Sequence, residues 1–292
     1  MKNENNSSQR RHIVIIGGGF GGIATVKALK NADVDITIID KSNHHLFQPL
    51  LYQVATAELS PGDISAPLRS IINDNPRAKV ILGEVKNISP QQKSLTLKNG
   101  RRISFDHLVV ATGAQYNYYG HDHWAQFAPG MKSISDALKV REQLLMSMEE
   151  AEQLQDPEHR KALLTYVIIG GGPTGVEMAG AIAEVAGNGV KHGYQNINQD
   201  DVRIFLIEAG PRILNAFPES LGEKAKKTLE KMGVKVLLNT PVIDIEKNKV
   251  HLKIGALQSS NIIWAAGIKA PSLLDSLHVA QDNMGRFWST RI

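Results

Sequence analysis

The residues best suited to chemistry in this sequence are three glycines and an acid near its beginning. Gly17, Gly19 and Gly22 follow the apolar stretch 12–16, and Asp40 ends the next apolar run. In such a turn the first glycine permits a tight bend, the second lets a pyrophosphate approach, and the third lets helix and strand touch. The helix N-terminus attracts phosphate, and the acid can accept hydrogen bonds from a ribose. The pattern predicts a dinucleotide site.

A second copy of this pattern occurs later in the chain. Its glycine turn consists of Gly170, Gly172 and Gly175. Glu208 ends the following apolar run, after an apparent insertion around 188–201. A carboxylate at this position repels the 2′-phosphate of NADPH, so we expect the second site to prefer NADH. Arg212 is near enough in sequence to weaken that preference.

The two turns belong to an internal duplication. VIIGGGFGG from Val14 is repeated as VIIGGGPTG from Val167, and LVVATGA around Gly113 is matched by IIWAAGI around Gly267 at almost the same interval. Each copy reads as a strand, a glycine turn, a helix, a second strand, a small antiparallel sheet and a last strand. This predicts an α/β fold with two Rossmann-like dinucleotide-binding domains, the second inserted into the first.

Two dinucleotide sites in one chain suit an enzyme that holds a flavin in one site and presents a nicotinamide to it from the other. We therefore expect residues 12–125, with an incomplete return segment 276–292, to form an FAD-binding domain. Residues 126–275 are expected to form the NADH-binding domain, and residues 1–11 a flexible tail.

Local signals place some of the connecting elements. Ser133 and Asp136 form a capping box that begins a connector helix in the second domain, and this helix ends near Gln155. Asn99-Gly100 lies between two short alternating runs and indicates a hairpin, since both residues tolerate positive φ. The first glycine turn is followed by a predicted helix over 22–31.

Composition excludes several classes of function. The chain has 292 residues, of which 42% are hydrophobic and 21% charged, as in ordinary globular proteins. Cysteine is absent, which excludes the reactive cysteine pair of disulfide reductases and thiolate metal sites. The formal net charge of +4 is too small to argue for nucleic acid as a partner. His121 and His123 have no further ligands at useful spacing, so no metal is expected.

Beyond the glycine turns, the sequence from about Arg11 to Arg286 resembles the type II, non-proton-pumping NADH:quinone oxidoreductases. The segments that carry the resemblance are HHLFQPLLYQVA from His44, GGGPTGVEMAG from Gly170 and WAAGIKA from Trp264. The resemblance implies FAD-dependent oxidation of NADH with two-electron reduction of a membrane quinone.

The resemblance also implies roles for individual residues. FAD would be contacted by Gly17, Gly19, Phe20, Gly22, Asp40, Lys41, Gln48, Leu50, Val85, Ala111, Thr112 and Gly113. NADH would be contacted by Gly170, Gly172, Pro173, Thr174, Gly175, Glu208, Ala266 and Gly267. Val85 would meet the adenine through its backbone, and 111–113 would border the flavin. Glu177 matches a carboxylate near the nicotinamide that orients substrate or relays a proton to quinone, although the helix dipole alone also favours an acid early in a helix.

Members of this family would work in the cytoplasm, peripherally on the inner face of the cell membrane, and a homodimer is left open. We expect membrane contact only through a C-terminal part that this sequence lacks, because the stretch 282–286 looks like the approach to a strand that 287–292 does not continue. The alternatives are a soluble NADH-dependent flavin reductase or diaphorase, a ferredoxin-reductase-like enzyme, an NADH-sensing flavoprotein, and a non-catalytic nucleotide-binding fragment.

Overall fold

The computed structural model describes residues 10–287, apart from the side chains of residues 188, 189, 191 and 192. Its α-helices are α1 (Phe20–Ala28), α2 (Leu51–Ala55), α3 (Leu68–Ile71), α4 (Ile134–Gln153), α5 (Pro157–Leu163), α6 (Pro173–His192) and α7 (Glu219–Lys231). Its strands are β1 (Arg11–Ile16), β2 (Val34–Asp40), β3 (His44–Leu46), β4 (Ser65–Pro67), β5 (Ala78–Leu82), β6 (Val85–Ser89), β7 (Ser94–Leu97), β8 (Arg102–Ser104), β9 (His107–Val110), β10 (Gln115–Tyr116), β11 (Thr165–Ile169), β12 (Arg203–Ile207), β13 (Val234–Leu237), β14 (Val242–Glu246), β15 (Lys249–Leu252), β16 (Gly255–Gln258), β17 (Asn261–Trp264) and β18 (Ile268–Lys269).

The chain divides into two compact units. Among the described residues, the first contains 10–46, the segment Ser65–Gln115 and 268–287. The second contains Phe47–Ile64 and Tyr116–Gly267. Each unit therefore has one glycine turn.

The first unit is built on a four-stranded parallel sheet in the order β5-β2-β1-β9. Its central strands are buried on both faces, as parallel strands usually are. Ile13 and Ile15 of β1 pack with α1 on one face, while Val14 and Ile16 face the opposite way, towards the antiparallel sheet β6-β7-β8. Because the four strands are parallel and α1 follows β1, the end of β1 and the start of α1 lie at the carboxyl edge of the sheet.

The second unit repeats this plan. Its parallel sheet has the order β13-β12-β11-β17, and its antiparallel sheet is β14-β15-β16. Val167 and Ile169 of β11 pack in one cluster with Trp264 of β17 and with the antiparallel sheet. The predicted fold class, two Rossmann-like halves in one α/β chain, is confirmed by this architecture.

Two local predictions hold and several boundaries differ. Ser133 and Asp136 form the full capping box of α4, and Gly100 has φ of 85° between β7 and β8. The predicted helix over 22–31 ends at Ala28 instead. The apparent insertion around 188–201 begins as helix, because α6 continues through His192.

The unit boundaries also differ from the predicted domain boundaries. The segment 47–64 falls in the second unit because α2 packs on α4 and α6. Arg11, predicted as part of the tail, pairs with Val34 and begins β1. The rest of the predicted tail up to residue 9, and the stretch 288–292, lie outside the described residues. Within 282–286, Asp282 accepts backbone hydrogen bonds from Met284 and Arg286, so the described part of this segment is a turn.

Candidate dinucleotide sites

The first glycine turn joins β1 to α1 and admits no side chain at two positions. Gly17 has φ of 108° and donates its N–H to the carbonyl oxygen of Ile39 at 2.8 Å. A Cβ on Gly17 would overlap the carbonyl oxygen of Ala111, and a Cβ on Gly22 would overlap that of Gly17. The first and third glycines therefore let the turn close against neighbouring backbone, as the sequence pattern predicted.

Asp40 is held beside this turn by backbone donors. Its carboxylate accepts the N–H of Gly18 at 2.5 Å and the N–H of Ser42 at 2.6 Å, one on each oxygen. Lys41 is exposed beside it. Carboxylate oxygens have several acceptor positions, so a doubly bonded Asp40 can still accept the hydroxyl groups of a ribose.

The other predicted FAD residues of the first unit lie at the same edge of the sheet. Ala111 donates its N–H to Ile16 at 2.8 Å and begins the 111–113 turn after β9. Val85 begins β6 and is 9% exposed. Nothing lies within 4 Å of the position of a Cβ on Gly19, so the turn faces open space where the pyrophosphate is expected. Ligands of open α/β sheets bind at this edge, and the first site fits FAD in that sense.

His45 is a further contact of the first turn that the sequence did not single out. Its Nδ1 lies 3.1 Å from the carbonyl oxygen of Gly18, and its ring stands edge-on to that of Phe20 at 4.9 Å. Because a carbonyl only accepts, Nδ1 carries the proton in this contact. The only signal in the sequence was the His44-His45 pair, which read equally well as exposed polar residues.

The second turn repeats the geometry of the first. Gly170 has φ of 113° and donates its N–H to Ile207 at 2.7 Å. A Cβ on Gly175 would overlap the carbonyl oxygen of Gly170. Glu208 accepts the N–H of Gly171 at 2.7 Å on one oxygen and that of Gly210 at 2.7 Å on the other. The second site therefore has the same backbone-held carboxylate.

A cavity of about 490 Å³ and another of about 420 Å³ lie in the second unit. The smaller one is at the second glycine turn and is bordered by Gly170, Gly172, Glu208 and the 265–267 turn. Pro173 and Thr174 begin α6 directly after the turn, and Gly267 has φ of 79°. Five of the eight predicted NADH residues thus line one space that a dinucleotide could enter: Gly170, Gly172, Glu208, Ala266 and Gly267.

Arg212 was expected to weaken the preference for NADH because it is close to Glu208 in sequence. In the structure it is not among the residues that line this cavity. Two of its nitrogens donate to the backbone carbonyls of Phe217 at 3.3 Å and Asn215 at 3.1 Å. The side chain therefore braces the loop that follows Glu208.

Glu177 borders the larger cavity, between α2, α6 and α7. It lies beyond the first turn of α6, which contains no acid, so the helix dipole explains its position less well than the sequence suggested. The residue reaches solvent, but partial burial of its carboxyl raises its pKa above the ordinary value. Burial and the nearby carboxylates of Glu177, Glu58 and Glu184 also raise the pKa of Tyr52, which lines the same cavity.

Gln48 and Leu50 are the two predicted FAD residues outside the first unit. They lie in a short 3-10 helix, Gln48–Leu50, in the 47–64 segment of the second unit. Their contact with flavin stays a prediction.

His121 and His123 flank a buried tryptophan. The ring of His121 stacks on Trp124 with centroids 4.1 Å apart. Among residues 10–287, no group of three or more histidine or acidic side chains is arranged to hold a metal ion. In the same part of the chain, no helix has the length and apolarity needed to cross a bilayer.

Comparison with known proteins gives one family. The family model for pyridine nucleotide-disulphide oxidoreductases matches residues 11–288. The chain is 42% identical over 290 residues to a type II NADH:quinone oxidoreductase of Mycobacterium tuberculosis, covering 95% of this chain and 63% of that protein. It is 30% identical over 306 residues to a type II NADH:quinone oxidoreductase of Haemophilus influenzae, covering 94% and 68%.

Among solved structures, the fold is similar to that of NDH2 from Plasmodium falciparum in complex with NADH. The TM-score is 0.85 at 26% sequence identity, over 92% of this chain and 57% of that one. The chain thus spans less than two thirds of the length of the Mycobacterium and Plasmodium proteins.

Proposed function

The chain belongs to the pyridine nucleotide-disulphide oxidoreductase family, and from that premise we propose that it binds FAD at the first glycine turn and NADH at the second, and oxidises NADH with a quinone as acceptor. The relatives from Mycobacterium and Haemophilus are named type II NADH:quinone oxidoreductases, and the Plasmodium structure contains NADH. A bound flavin would supply the acceptance of hydride from the nicotinamide.

The observation that carries this proposal is the repeated carboxylate. Asp40 ends β2 and Glu208 directly follows the corresponding strand β12. Each accepts two backbone N–H bonds, one of them from the residue after the first glycine of its turn, Gly18 or Gly171. Such an arrangement fixes an acceptor pair where the ribose of a dinucleotide lies. A chain with two such sites suits a reaction in which two dinucleotides exchange electrons.

The chain's own residues would mainly bind and orient. The glycine turns would let the pyrophosphates approach backbone N–H groups, and the helix N-termini would favour their charge. Glu208 would accept the ribose hydroxyls of NADH and repel the 2′-phosphate of NADPH. Two guanidinium nitrogens of Arg212 donate to Phe217 and Asn215, which directs these N–H groups to the protein rather than to a 2′-phosphate.

Two observations support a quinone as the acceptor: the names of the relatives and the absence of cysteine from the sequence. The 292 residues contain no cysteine, so no cysteine pair within them can receive electrons from a flavin. Direct reduction of a small acceptor such as a quinone is consistent with this. The carboxyl of Glu177, with its raised pKa, would retain a proton for the acceptor at higher pH than an ordinary carboxyl does.

A quinone acceptor is dissolved in the membrane, and we accordingly propose that the protein works peripherally at the inner face of the cell membrane. Cell fractionation, with release by salt or alkali rather than by detergent alone, tests this. A homodimer is part of the same proposal, and sedimentation of the purified chain measures it.

The decisive experiment is an absorbance spectrum of the purified chain before and after anaerobic NADH. We expect flavin bands that bleach on addition of NADH and return on addition of a quinone. A colourless protein that takes up no added FAD would overturn the flavin assignment. Flavin bands that NADH leaves unchanged would overturn the NADH assignment.

A further inference from the structure

One wall of the smaller cavity, the one at the second glycine turn and called the second cavity below, is formed by residues outside the duplicated sequence motifs. It is formed by the segment 117–124, of which Tyr119, His121 and Trp124 line the same cavity as Gly170 and Glu208. The corresponding position in a minimal nucleotide-binding fold needs no such wall, because the glycine turn and the acid already bind pyrophosphate and ribose.

The backbone of this segment is held in an unusual conformation. Tyr119 has φ of 52° and Gly120 has φ of 90°. Left-handed backbone is uncommon for a bulky residue and persists only where neighbouring contacts impose it. Here the Tyr119 N–H is bonded to the side-chain oxygen of Asn117 at 2.9 Å, and the carbonyl oxygen of Asn117 accepts the indole N–H of Trp264 at 3.1 Å.

The result is an exposed aromatic ring fixed over a cofactor turn. The side chain of Tyr119 is 59% exposed, yet its phenol lies so close over Gly267 that a Cβ on Gly267 would overlap it. An aromatic ring left in water at the mouth of a cavity gains contact area only when a ligand covers it. Tyr119 therefore has the position and the free surface of a ligand contact.

His121 is fixed at the same wall by a rigid support. Its ring stacks on Trp124 at 4.1 Å with an interplanar angle of 8°. Trp124 is 3% exposed, and its indole N–H donates to Asp244 at 2.9 Å. One face of the imidazole is thus covered by Trp124, while His121 is exposed and lines the cavity.

The duplication assigns the two ends of the cavity. Val85 and Val242 each begin the antiparallel sheet of their unit, and each is followed by a shift in strand register. Since Val85 is expected at the adenine of FAD, Val242 marks the adenine end of the second cavity. Gly267 corresponds to Gly113, which is expected beside the redox ring, and it marks the nicotinamide end.

We propose that 117–124 is a second recognition element for NADH, in which Tyr119 contacts the nicotinamide half and His121, supported by Trp124, contacts the adenosine half. Tyr119 lies over Gly267, and Trp124 is bonded to Asp244, two positions after Val242. The proposal rests on the proposed NADH site and adds residues to it that the glycine motif does not contain.

The test compares NAD⁺ with ADP-ribose, which lacks the nicotinamide, by calorimetric titration of the flavin-loaded protein. We expect Tyr119→Ala to raise the Kd of NAD⁺ about tenfold and to leave that of ADP-ribose within about twofold. His121→Ala is expected to raise both by about fivefold. His123→Ala is the matched control, since His123 is exposed in the same segment, and it should change neither.

The outcomes separate this proposal from the site on which it rests. A wild-type protein that binds neither ligand would count against the NADH site itself. A wild-type protein that binds both, with Tyr119→Ala changing the two affinities equally or not at all, would overturn the role of Tyr119. Tyr119→Phe guards against a folding defect, because it keeps the ring and should retain most of the NAD⁺ affinity.

Discussion

Replacing Glu208 with glutamine should weaken the binding of NAD⁺ at the second site and leave the binding of FAD at the first site unchanged. In Glu208→Gln the side-chain amide nitrogen replaces one of the two oxygens that accept N–H groups from Gly171 and Gly210, each at 2.7 Å in the wild type. One backbone donor then faces another donor, and the ribose loses a charged acceptor. A hydrogen bond to a charged group is worth about 1.5–3 kcal/mol.

That free energy corresponds to an increase of about 10- to 150-fold in the Kd of NAD⁺. The flavin content of Glu208→Gln should stay at the wild-type level, because Glu208 belongs to the second unit. Calorimetry gives the Kd of NAD⁺, and the ratio of flavin to protein absorbance gives the occupancy of the first site.

Asp40→Asn is the matched control because Asp40 makes the equivalent bonds to Gly18 and Ser42 in the first unit. It should lose FAD while keeping the wild-type Kd for NAD⁺ within about twofold. The reasoning is refuted if Glu208→Gln loses flavin and keeps NAD⁺, since the sites would then be reversed. It is also refuted if both variants weaken both ligands equally, since the acids would then act only on folding.

Four further predictions concern the acceptor, the connector helix, the first turn and α6. The raised pKa of Glu177 keeps its carboxyl protonated to higher pH, so quinone reduction should fall as pH rises through that pKa. The kcat of Glu177→Gln should be lower and lack that limb of the pH profile, while Glu184→Gln should retain it. Ser133→Ala should remove the cap of α4 and lower the free energy of unfolding in urea by about 1 kcal/mol, against little change for the exposed Ser135→Ala. Gly22→Ala should destabilise the chain by about 1–3 kcal/mol and reduce its flavin content, because the new Cβ would overlap Gly17. Gly180→Ala in α6, whose new Cβ would lie 3.7 Å from Leu229 of α7, should stabilise the chain by about 1 kcal/mol, and a loss of stability there would contradict the packing argument.

The glycine turns and their acids could be predicted from the sequence because their requirements are local. Gly17 and Gly170 need positive φ, and each acid ends the strand that runs beside the turn. The repetition of this pattern gave the two-copy α/β fold, and the resemblance to type II NADH:quinone oxidoreductases is confirmed by relatives at 42% and 30% identity.

Other features depend on contacts that spacing does not reveal. The apparent insertion around 188–201 begins inside a helix, because α6 runs to His192, and Val190 in its last turns packs beside a cluster that contains Ile197. The segment 47–64 is continuous in sequence with the first unit, yet Leu51 and Val54 are buried in α2, which packs on α4 and α6. Which partner covers an apolar helix face is decided only in three dimensions.

The wall at 117–124 escaped prediction for a related reason. His121 and His123 drew attention as metal ligands, and the absence of further ligands then favoured a simple loop. The stacking of His121 on Trp124 involves neighbours in sequence, but the bonds to Asp244 and Trp264 that fix the segment come from strands far along the chain. The positive φ of Tyr119 has no signal in residue type, since tyrosine rarely adopts it.

Gly18 and Gly171, each directly after the first glycine of its turn, determine which backbone groups remain for phosphate. The Gly18 N–H bonds Asp40 and its carbonyl meets His45, while the Gly171 N–H bonds Glu208 and its carbonyl accepts the N–H of Leu214 at 2.7 Å. The N–H and the carbonyl of Gly18 and of Gly171 are thus engaged by other groups of the protein. In the proposed sites, a pyrophosphate would therefore be bound by the following amides, in the first turn of the helix, where N–H groups have no acceptor within the helix. Gly19 provides α1 with no side-chain cap, which leaves that end of the helix to the ligand.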